Sequence, residues 1–401
     1  MTAVVAEEDW RPRAVQLADE LVRSGSLTDQ AWRDVFAAVP RHVFVPHFAR
    51  TELTPNGTKY TLVNGDDPDQ RESWLRAAYS DTTLLTQVDG QPVEEAFATA
   101  SGYGRHTSSA TAPGLMGWML EDLGVRDGDD VLELGAGTGY NAALLSVRLG
   151  DQHVTSVDID AQLVETARWR LAEVGQRPTV EVGDGRSGWL RRAPYDRVIA
   201  TFALPYVPES WIDQTSHGGA ILTNVSGSVG GAMLLAEVTG PGTATGTFVS
   251  RWAGFMPSRH QPLTRPDSAA DYVAGHTMLA ADALDDRAFA FLAQLHLPGA
   301  RVYHAVRDDG RRLRGLLAPD GSWAEVYEPD PAGECAVEQG GPQRLWDVVE
   351  TAHHLWIDAG RPDWTSYGFH AEPGRQTVTL GDHSGWELTD GTGVRRPERP
   401  S

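Results

Sequence analysis

The chain has 401 residues, 41% of them hydrophobic and 22% charged, which is enough for two compact units with substantial cores. Its formal net charge of −21 argues against a nucleic-acid partner or an anionic membrane surface. The single cysteine, Cys335, excludes an internal disulfide framework. No apolar run approaches the roughly 20 residues of a membrane span, and the first residues do not resemble a secretory signal, so we expect a cytoplasmic protein.

Two amphipathic helices are predicted at the start of the chain, at residues 13–23 and 28–39, because their apolar side chains recur at helical spacing. Pro40 should end the second helix, since proline has no amide hydrogen to donate. Residues from about 50 to 109 contain clusters of Gly, Asp, Asn and Ser with little periodicity. This pattern predicts a long irregular region, and such regions usually have a functional role in compact domains.

The centre of the chain alternates predicted strands with predicted helices. The strands are expected at residues 130–134, 154–159, 179–182, 197–202 and 220–225, and the helices at residues 113–123, 140–149 and 161–174. This alternation predicts an α/β fold with a doubly wound, mostly parallel sheet that helices cover on both faces. A β-hairpin at residues 233–238 and 244–249 should close the sheet.

After Trp252 the alternation stops, and the pattern indicates a smaller α+β domain. Strands are predicted at residues 301–306, 312–317 and 323–327, an amphipathic helix at 345–356 and a hairpin at 368–380. We therefore expect N-terminal helices and substrate-facing insertions at residues 1–110, a ligand-binding core at 111–252 and an accessory domain at 256–401. No metal site is expected, because His353 and His354 point in different directions on their helix and no motif of further ligands accompanies them.

A glycine-rich turn follows the first central strand, in the segment VLELGAGTGYNAALL at residues 131–145. Gly135, Gly137 and Gly139 permit a tight turn and the close approach of a ligand. Their G-x-G-x-G spacing differs from the G-x-G-x-x-G of dinucleotide-binding turns, which disfavours a nicotinamide cofactor. Asp158 ends the next strand, where a carboxylate can accept both ribose hydroxyls, and Asp184 ends the third, where it can accept from an adenine amino group. The three positions together predict an S-adenosylmethionine site.

Other segments surround this motif in a specific order: AVPRHVFVP at residues 38–46, AAYSDTTL at 77–84, TSSATAPGLM at 107–116, GDG at 183–185 and APYDRVIATFALPYVP at 193–208. In this order they resemble the protein-L-isoaspartate O-methyltransferase family. The resemblance implies a class I, Rossmann-like methyltransferase with a carboxylate acceptor. An ionised carboxylate is already nucleophilic at neutral pH, so no strong general base is required. The matching segments contain the remaining candidate cofactor-binding residues: Glu133, Ala136, Ile159, Gly183, Gly185 and Thr201.

The resemblance also indicates where the methyl acceptor binds. With Pro113 as the anchor, the hydroxyl residue of the family's T-I-S-x-P segment falls on Thr111, the candidate catalytic residue, where the family pattern has serine. Thr111 could instead cap the helix that begins near Pro113. Ser109, His106 and Asp81 are candidate substrate-binding residues. His106 is equally well an ordinary loop histidine, and Asp81 could serve only to structure its loop.

The long flanks of the chain resemble an extended subgroup of the family that accompanies ribosomally made, modified peptides such as graspetides and lanthipeptides. The segments WRDVFAAVPRHVFVPHF at residues 32–48 and AGRPDWTSYGFHAEPGRQTVTL at 359–380 carry this resemblance. It implies esterification of an aspartate in a macrocyclic peptide, followed by cyclisation to an aspartimide (a succinimide), with S-adenosylhomocysteine as the coproduct. Two other functions stay open: repair of isoaspartyl residues, and binding of S-adenosylmethionine or a peptide without turnover.

Overall fold

A computed structural model describes residues 7–54, 57–97, 101–258, 272–381 and 384–389. The chain forms two compact units. One comprises Met1–Thr201 with Gln214–Ala220, and the other comprises Phe202–Asp213 with Ile221–Ser401. Within the described ranges, no helix has the length and apolar character that a bilayer span requires.

The first unit begins with three helices, α1 (Glu7–Arg23), α2 (Gln30–Ala38) and α3 (Arg41–Phe44). The two predicted helices are confirmed, and α1 starts earlier than expected, with Pro12 inside it. The α2 helix begins at a conventional cap, because the Asp29 side chain accepts a hydrogen bond from the Ala31 amide. It ends one residue before Val39, and Pro40 follows as predicted.

An antiparallel sheet follows where the sequence predicted a long irregular region. Its elements are β1 (His47–Thr54), β2 (Gly57–Asn64), α4 (Arg71–Ala78), β3 (Leu84–Val88), β4 (Gln91–Pro92), α5 (Val93–Ala96), β5 (Ser101–Tyr103) and β6 (His106–Ala110). The strand order is β4-β3-β1-β2-β5, and β6 pairs with β3. The prediction was wrong because the strands lack a clear two-residue period: residues 50–53 of β1 are all exposed. A small core around Ala49, Tyr60 and Val93 nevertheless holds the sheet together.

The centre of the first unit has the predicted alternation of strands and helices. Its elements are α6 (Pro113–Asp122), β7 (Val131–Leu134), α7 (Tyr140–Leu149), β8 (Val154–Asp158), α8 (Ala161–Glu173), β9 (Thr179–Val182) and β10 (Tyr195–Leu204). The parallel order is β10-β7-β8-β9. All four residues of β7 are buried, as expected for a parallel strand that helices cover on both faces. The predicted alternation of parallel strands with helices is confirmed for these four strands.

The second unit is built from antiparallel strands and two longer helices. Its elements are α9 (Glu209–Asp213), β11 (Thr215–Ser226, which begins in the first unit), β12 (Gly231–Gly240), β13 (Thr243–Phe248), β14 (Tyr272–Thr277), α10 (Arg287–His296), β15 (Arg301–Val306), β16 (Arg312–Leu317), β17 (Trp323–Tyr327), β18 (Cys335–Gly340), α11 (Leu345–Asp358), β19 (Tyr367–Glu372), β20 (Arg375–Leu380) and β21 (Ser384–Glu387). Both predicted hairpins form, and β19 pairs with β13. One sheet therefore contains strands from the predicted core and from the predicted accessory domain.

Candidate functional site

The glycine-rich turn joins β7 to α7 at the carboxyl end of the parallel strands. Gly135, Gly137 and Gly139 have φ angles of 100°, 52° and 87°, a left-handed region that side chains rarely tolerate. The amides of Gly135 and Ala136 donate to the Val157 carbonyl, at 2.7 and 3.2 Å. The turn is therefore fastened to β8 by its own backbone, and the Ala136 side chain is buried.

Asp158, at the end of β8, faces this turn. Its Oδ2 accepts a hydrogen bond from the Gly137 amide at 2.9 Å, and its Oδ1 accepts one from the Asp160 amide at 3.0 Å. An ionised carboxylate is an acceptor with about four positions, which is the chemistry that the two hydroxyls of a ribose require. The neighbouring Ile159 is 54% exposed, which leaves an apolar surface beside the carboxylate for an aromatic base. These features fit an adenosyl group.

The end of β9 is closely packed. The Gly183 amide donates to the Asp158 carbonyl at 2.9 Å, and a Cβ at Gly183 would lie 3.2 Å from Val157. Gly185 is buried. The carboxylate of Asp184 accepts from the guanidinium of Arg186, with a shortest distance of 2.6 Å. Arg186 therefore competes for the carboxylate that we predict to accept from an adenine amino group.

Two of the predicted cofactor-binding residues, Glu133 and Thr201, form hydrogen bonds with the elements that flank the glycine turn. Glu133 is 1% exposed, and its carboxylate accepts from Asn141 Nδ2 at 2.9 Å and from Ser156 Oγ at 2.5 Å. Burial raises the pKa of Glu133 to about 7, although both hydrogen bonds oppose that shift. The Thr201 hydroxyl donates to the carbonyls of Leu134 and Gly135, at 3.2 and 2.9 Å. Both side chains therefore hold the elements around the glycine turn in place.

Strand β6 brings residues 107–111, the predicted acceptor segment, to the glycine turn. A Cβ on Gly137 would lie 3.8 Å from the Ser109 carbonyl and 3.9 Å from Ser108 Oγ. Thr111 follows two residues after Ser109 and is half-buried. At the other end of β6, His106 is exposed, with its Nδ1 3.5 Å from the Tyr60 hydroxyl. The structure thus brings Ser109 beside the turn, while His106 lies at the opposite end of the strand.

Asp81 caps the helix that follows Thr111. Its Oδ1 accepts a hydrogen bond from the Gly114 amide at 2.6 Å, in the first turn of α6. The N-cap position itself is Ala112, and no side chain of the cap residue contributes. Ala112 and not Thr111 occupies the N-cap position, and the side chain that bonds to the first turn of the helix is Asp81. The close approach of Asp81 also explains the glycine, because a Cβ at residue 114 would collide with the carboxylate.

Sequence reasoning missed Arg41, the residue that connects these segments. Its fully buried guanidinium donates to the carbonyls of Ala78, Ser80 and Thr82, each at 2.9 Å, and to that of Thr111 at 3.2 Å. Burial lowers the pKa of Arg41 to about 10, so it is still charged at neutral pH. Arg41 is the arginine of AVPRHVFVP. The three segments that precede the glycine motif in sequence therefore meet at one buried cation.

A parallel sheet with a glycine-rich first turn and an acidic residue ending its second strand fits a class I, S-adenosylmethionine-dependent methyltransferase. Residues 72–238 match the family model of protein-L-isoaspartate(D-aspartate) O-methyltransferase. The enzyme of that name from Hyperthermus butylicus is 32% identical over 227 residues, covering 54% of this chain and 76% of the relative. The one from Methylorubrum extorquens is 33% identical over 261 residues, covering 65% and 92%. The chain belongs to the protein-L-isoaspartate O-methyltransferase family.

Membership makes the chain a protein carboxyl O-methyltransferase with S-adenosylmethionine as methyl donor, so the non-catalytic binding module is set aside. A solved protein-L-isoaspartate O-methyltransferase structure matches 91% of this chain and 99% of its own, with a TM-score of 0.50 and 19% identity. That likeness concerns the fold alone. It shows that a solved structure of that name shares the fold over 91% of this chain.

Proposed function

We propose that this enzyme esterifies the side-chain carboxylate of an aspartate in a crosslinked, ribosomally made peptide, and that the ester then yields an aspartimide. One observation carries the proposal. The hairpin β1–β2 lies outside the family match at residues 72–238, yet β1 pairs with β3 at Ala49 and Leu85, and β3 pairs with the acceptor strand β6. The acceptor segment is thus part of a sheet in which β3 to β6 lie inside the family match, while β1 and β2 lie outside it.

This sheet has exposed apolar and aromatic side chains that a crosslinked peptide can contact. Leu53 on β1 is 88% exposed and Tyr103 on β5 is 52% exposed. They lie at the same end of the sheet, because the Tyr103 hydroxyl is 3.4 Å from Thr54 Oγ1. Exposed apolar and aromatic side chains are typical of peptide-binding surfaces. We assign the insertions at residues 51–74 and 87–105 to recognition of the peptide and residues 111–252 to the cofactor.

The chemistry requires alignment more than activation. S-adenosylmethionine, when bound, supplies a methyl group that its sulfonium makes electrophilic. We assign Asp158 and the glycine turn to holding the adenosyl group, with Ile159, Gly183, Asp184 and Gly185 around the base. The Thr111 hydroxyl would donate to one oxygen of the acceptor carboxylate and leave the other oxygen free to attack. Because that carboxylate is already ionised, holding it in line can supply much of the rate.

The ester and the fixed backbone together favour ring closure. Attack of the following backbone amide on the ester carbonyl forms the new carbon–nitrogen bond, expels methanol and transfers the amide proton to the leaving oxygen. A crosslink that holds the amide near the ester raises its effective concentration, as in other intramolecular reactions. We place the reaction in a reducing cytoplasm, because the one cysteine of the chain, Cys335, is buried and unpaired with another cysteine.

Repair of isoaspartyl residues is the second candidate function. It is favoured by the names of the relatives that match most of their own length, such as 92% of the Methylorubrum extorquens enzyme. In that case the ester would form on the free carboxylate of an isoaspartyl residue in a damaged protein, and no crosslink would be needed.

A direct test supplies the enzyme with labelled S-adenosylmethionine and one of three peptides of the same sequence: crosslinked with aspartate, linear with aspartate, and linear with isoaspartate. Mass spectrometry then follows methyl gain and methanol loss. We expect both on the crosslinked peptide only. Faster methylation of the isoaspartyl peptide would replace the proposal by repair. A reaction without enzyme serves as the control for background methylation.

A further inference from the structure

We propose that Gln87 is a positioning residue that couples the cofactor site to the acceptor strand. The inference rests on the proposed position of the adenosyl group at Asp158. Gln87 is the fourth residue of β3 and is fully buried. Its proposed role follows from the two side chains that its amide connects, Asp160 and Thr107.

The pairing of β3 with β6 is irregular on both sides of Gln87. Leu85 pairs with Ser109, Gln87 with Ser108, and Val88 with His106, with register shifts before and after Gln87. The second shift leaves Thr107 as an extra residue on β6. Bulges of this kind redirect side chains and are common beside active sites. Here the bulge aims the Thr107 hydroxyl at Gln87, and Thr107 Oγ1 donates to Gln87 Oε1 at 2.8 Å.

The other end of the Gln87 amide reaches the cofactor side. Gln87 Nε2 donates to Asp160 Oδ2 at 3.0 Å. The Asp160 amide in turn donates to Asp158 Oδ1 at 3.0 Å, while Asp158 Oδ2 accepts from the Gly137 amide at 2.9 Å. A continuous series of hydrogen bonds thus runs from the glycine turn through Asp158, Asp160 and Gln87 to Thr107.

The series ends in the loop that precedes β4. Thr107 Oγ1 accepts a hydrogen bond from the Gly90 amide at 3.0 Å. Both ends of the buried Gln87 amide are therefore in use, one on the cofactor side and one on the acceptor side. In a buried network each bond strengthens its neighbours, and a partner that moves away leaves a costly unsatisfied group. A ligand that fixes Asp158 and Asp160 should consequently order β3 and β6.

The test measures this coupling with S-adenosylhomocysteine as the ligand. Hydrogen–deuterium exchange is followed in residues 84–90 and 106–111, with and without the ligand, and ligand affinity is measured by calorimetry. In the wild type the ligand should slow exchange in both segments by about fivefold or more. In Gln87→Met the ligand should bind within about threefold of the wild-type affinity, yet the slowing in both segments should disappear.

Matched variants separate coupling from loss of stability. Gln376→Met removes a buried glutamine of the second unit that likewise bonds through both ends of its amide, to Val207, and it should keep the ligand-induced slowing. Thr107→Val breaks the series at the next bond and should reproduce Gln87→Met if the latter does not fold. Equal slowing in Gln87→Met, or in Thr107→Val, would overturn the proposal. If S-adenosylhomocysteine fails to bind the wild type, the assigned cofactor position is wrong and the coupling inference falls with it.

Discussion

The guanidinium of Arg41 donates to the main-chain oxygen of Thr111 across 3.2 Å, although the two residues lie 70 positions apart in the sequence. The same side chain holds the Ser80 and Thr82 carbonyls of the loop that contains Asp81. Asp81 in turn caps the helix that begins just after Thr111. The backbone of the acceptor segment is therefore held from both sides by groups on other elements, and its side chains can stay in place without help from a bound substrate.

Replacing Arg41 should damage catalysis more than cofactor binding. Arg41→Lys keeps the charge, but an ammonium cannot reach four carbonyls with the geometry of a guanidinium. We expect kcat to fall by at least about tenfold and the free energy of unfolding by about 3 kcal/mol, since several buried carbonyls lose a donor. Affinity for S-adenosylhomocysteine should change by less than about threefold, because Arg41 donates to no atom of the glycine turn.

Arg170→Lys is the matched control for this variant. The Arg170 side chain is half-buried, with its pKa lowered to about 10 by burial, and among the described residues its guanidinium donates to a single carbonyl, that of Phe44. Its replacement should cost stability and leave kcat near the wild-type value. Steady-state kinetics and urea denaturation of both variants provide the comparison. An equal loss of kcat in the two variants would mean that Arg41 acts only through general stability.

The hydroxyl of Thr111 should matter more than its methyl group. Thr111→Val removes the donor and keeps the branched shape, while Thr111→Ser keeps the donor. A hydrogen bond to a charged group contributes about 1.5–3 kcal/mol, so kcat/KM of Thr111→Val should fall roughly 10- to 150-fold, with Thr111→Ser close to the wild type. Thr61→Val, at an exposed position of β2, controls for the substitution itself. Full activity of Thr111→Val would remove this residue from the site.

The carboxylate of Asp158 should be essential for cofactor binding. Asp158→Asn keeps one acceptor oxygen for the turn but loses the charge that strengthens bonds to ribose hydroxyls. We expect affinity for S-adenosylhomocysteine, measured by calorimetry, to fall by at least about tenfold. Asp151→Asn is the control, because Asp151 also accepts from a main-chain amide, that of Arg177, but lies after the far end of α7. Undiminished binding by Asp158→Asn would place the ribose elsewhere.

Glu133 should make the protein less stable as the pH rises. Burial raises its pKa from 4.5 to about 7 in the folded state, so folding takes up a proton between these values. Its contribution is fully present below pH 4.5 and is lost as the pH rises through 7. The expected loss is about 3 kcal/mol, from a shift of that size. Glu133→Gln, which resembles the protonated carboxyl, should lack this dependence.

The difference between Glu133→Gln and the wild type must be measured, because His42 acts in the opposite direction. Burial lowers the pKa of His42 to about 4, so its contribution to stability is present above pH 6.5 and is lost as the pH falls through 4. The two windows overlap, and the net slope of the wild type is small where they do. Urea denaturation at pH 5 and pH 8 should show Glu133→Gln gaining stability relative to the wild type at the higher pH. The same difference at both values would contradict the raised pKa.

Local periodicity accounts for what could be predicted from the sequence. The helix Tyr140–Leu149 and the strands Thr179–Val182, Arg301–Val306 and Trp323–Tyr327 have the predicted bounds, because each has a clear pattern of apolar residues. The glycine turn was also predictable, since only glycine adopts its positive φ angles cheaply. The antiparallel sheet of β1–β6 was not, because its strands lack a clear two-residue period and residues 50–53 of β1 are all exposed.

The hydrogen bonds that connect the segments of the site could not be predicted from the local sequence. Arg41 bonds to carbonyls up to 70 residues away, and Asp81 caps a helix 33 residues further along the chain. Such bonds depend on where the backbone passes in three dimensions. Because every residue has a main-chain carbonyl, the residue type does not show which carbonyl accepts the bond. Gln87 is similar: nothing in its strand distinguishes it, and the bulge opposite makes its contact with Thr107.

A competition between two peptides in one reaction identifies the acceptor carboxylate. Equal amounts of a crosslinked aspartyl peptide and a linear isoaspartyl peptide are offered to the wild-type enzyme with limiting S-adenosylmethionine, and mass spectrometry counts the products of each. The product ratio gives the ratio of the two kcat/KM values, which is what specificity means for competing substrates. If the proposed function is correct, we expect an excess of products from the crosslinked peptide, both the methyl ester and the aspartimide formed from it. An excess of methylated isoaspartyl peptide would contradict it.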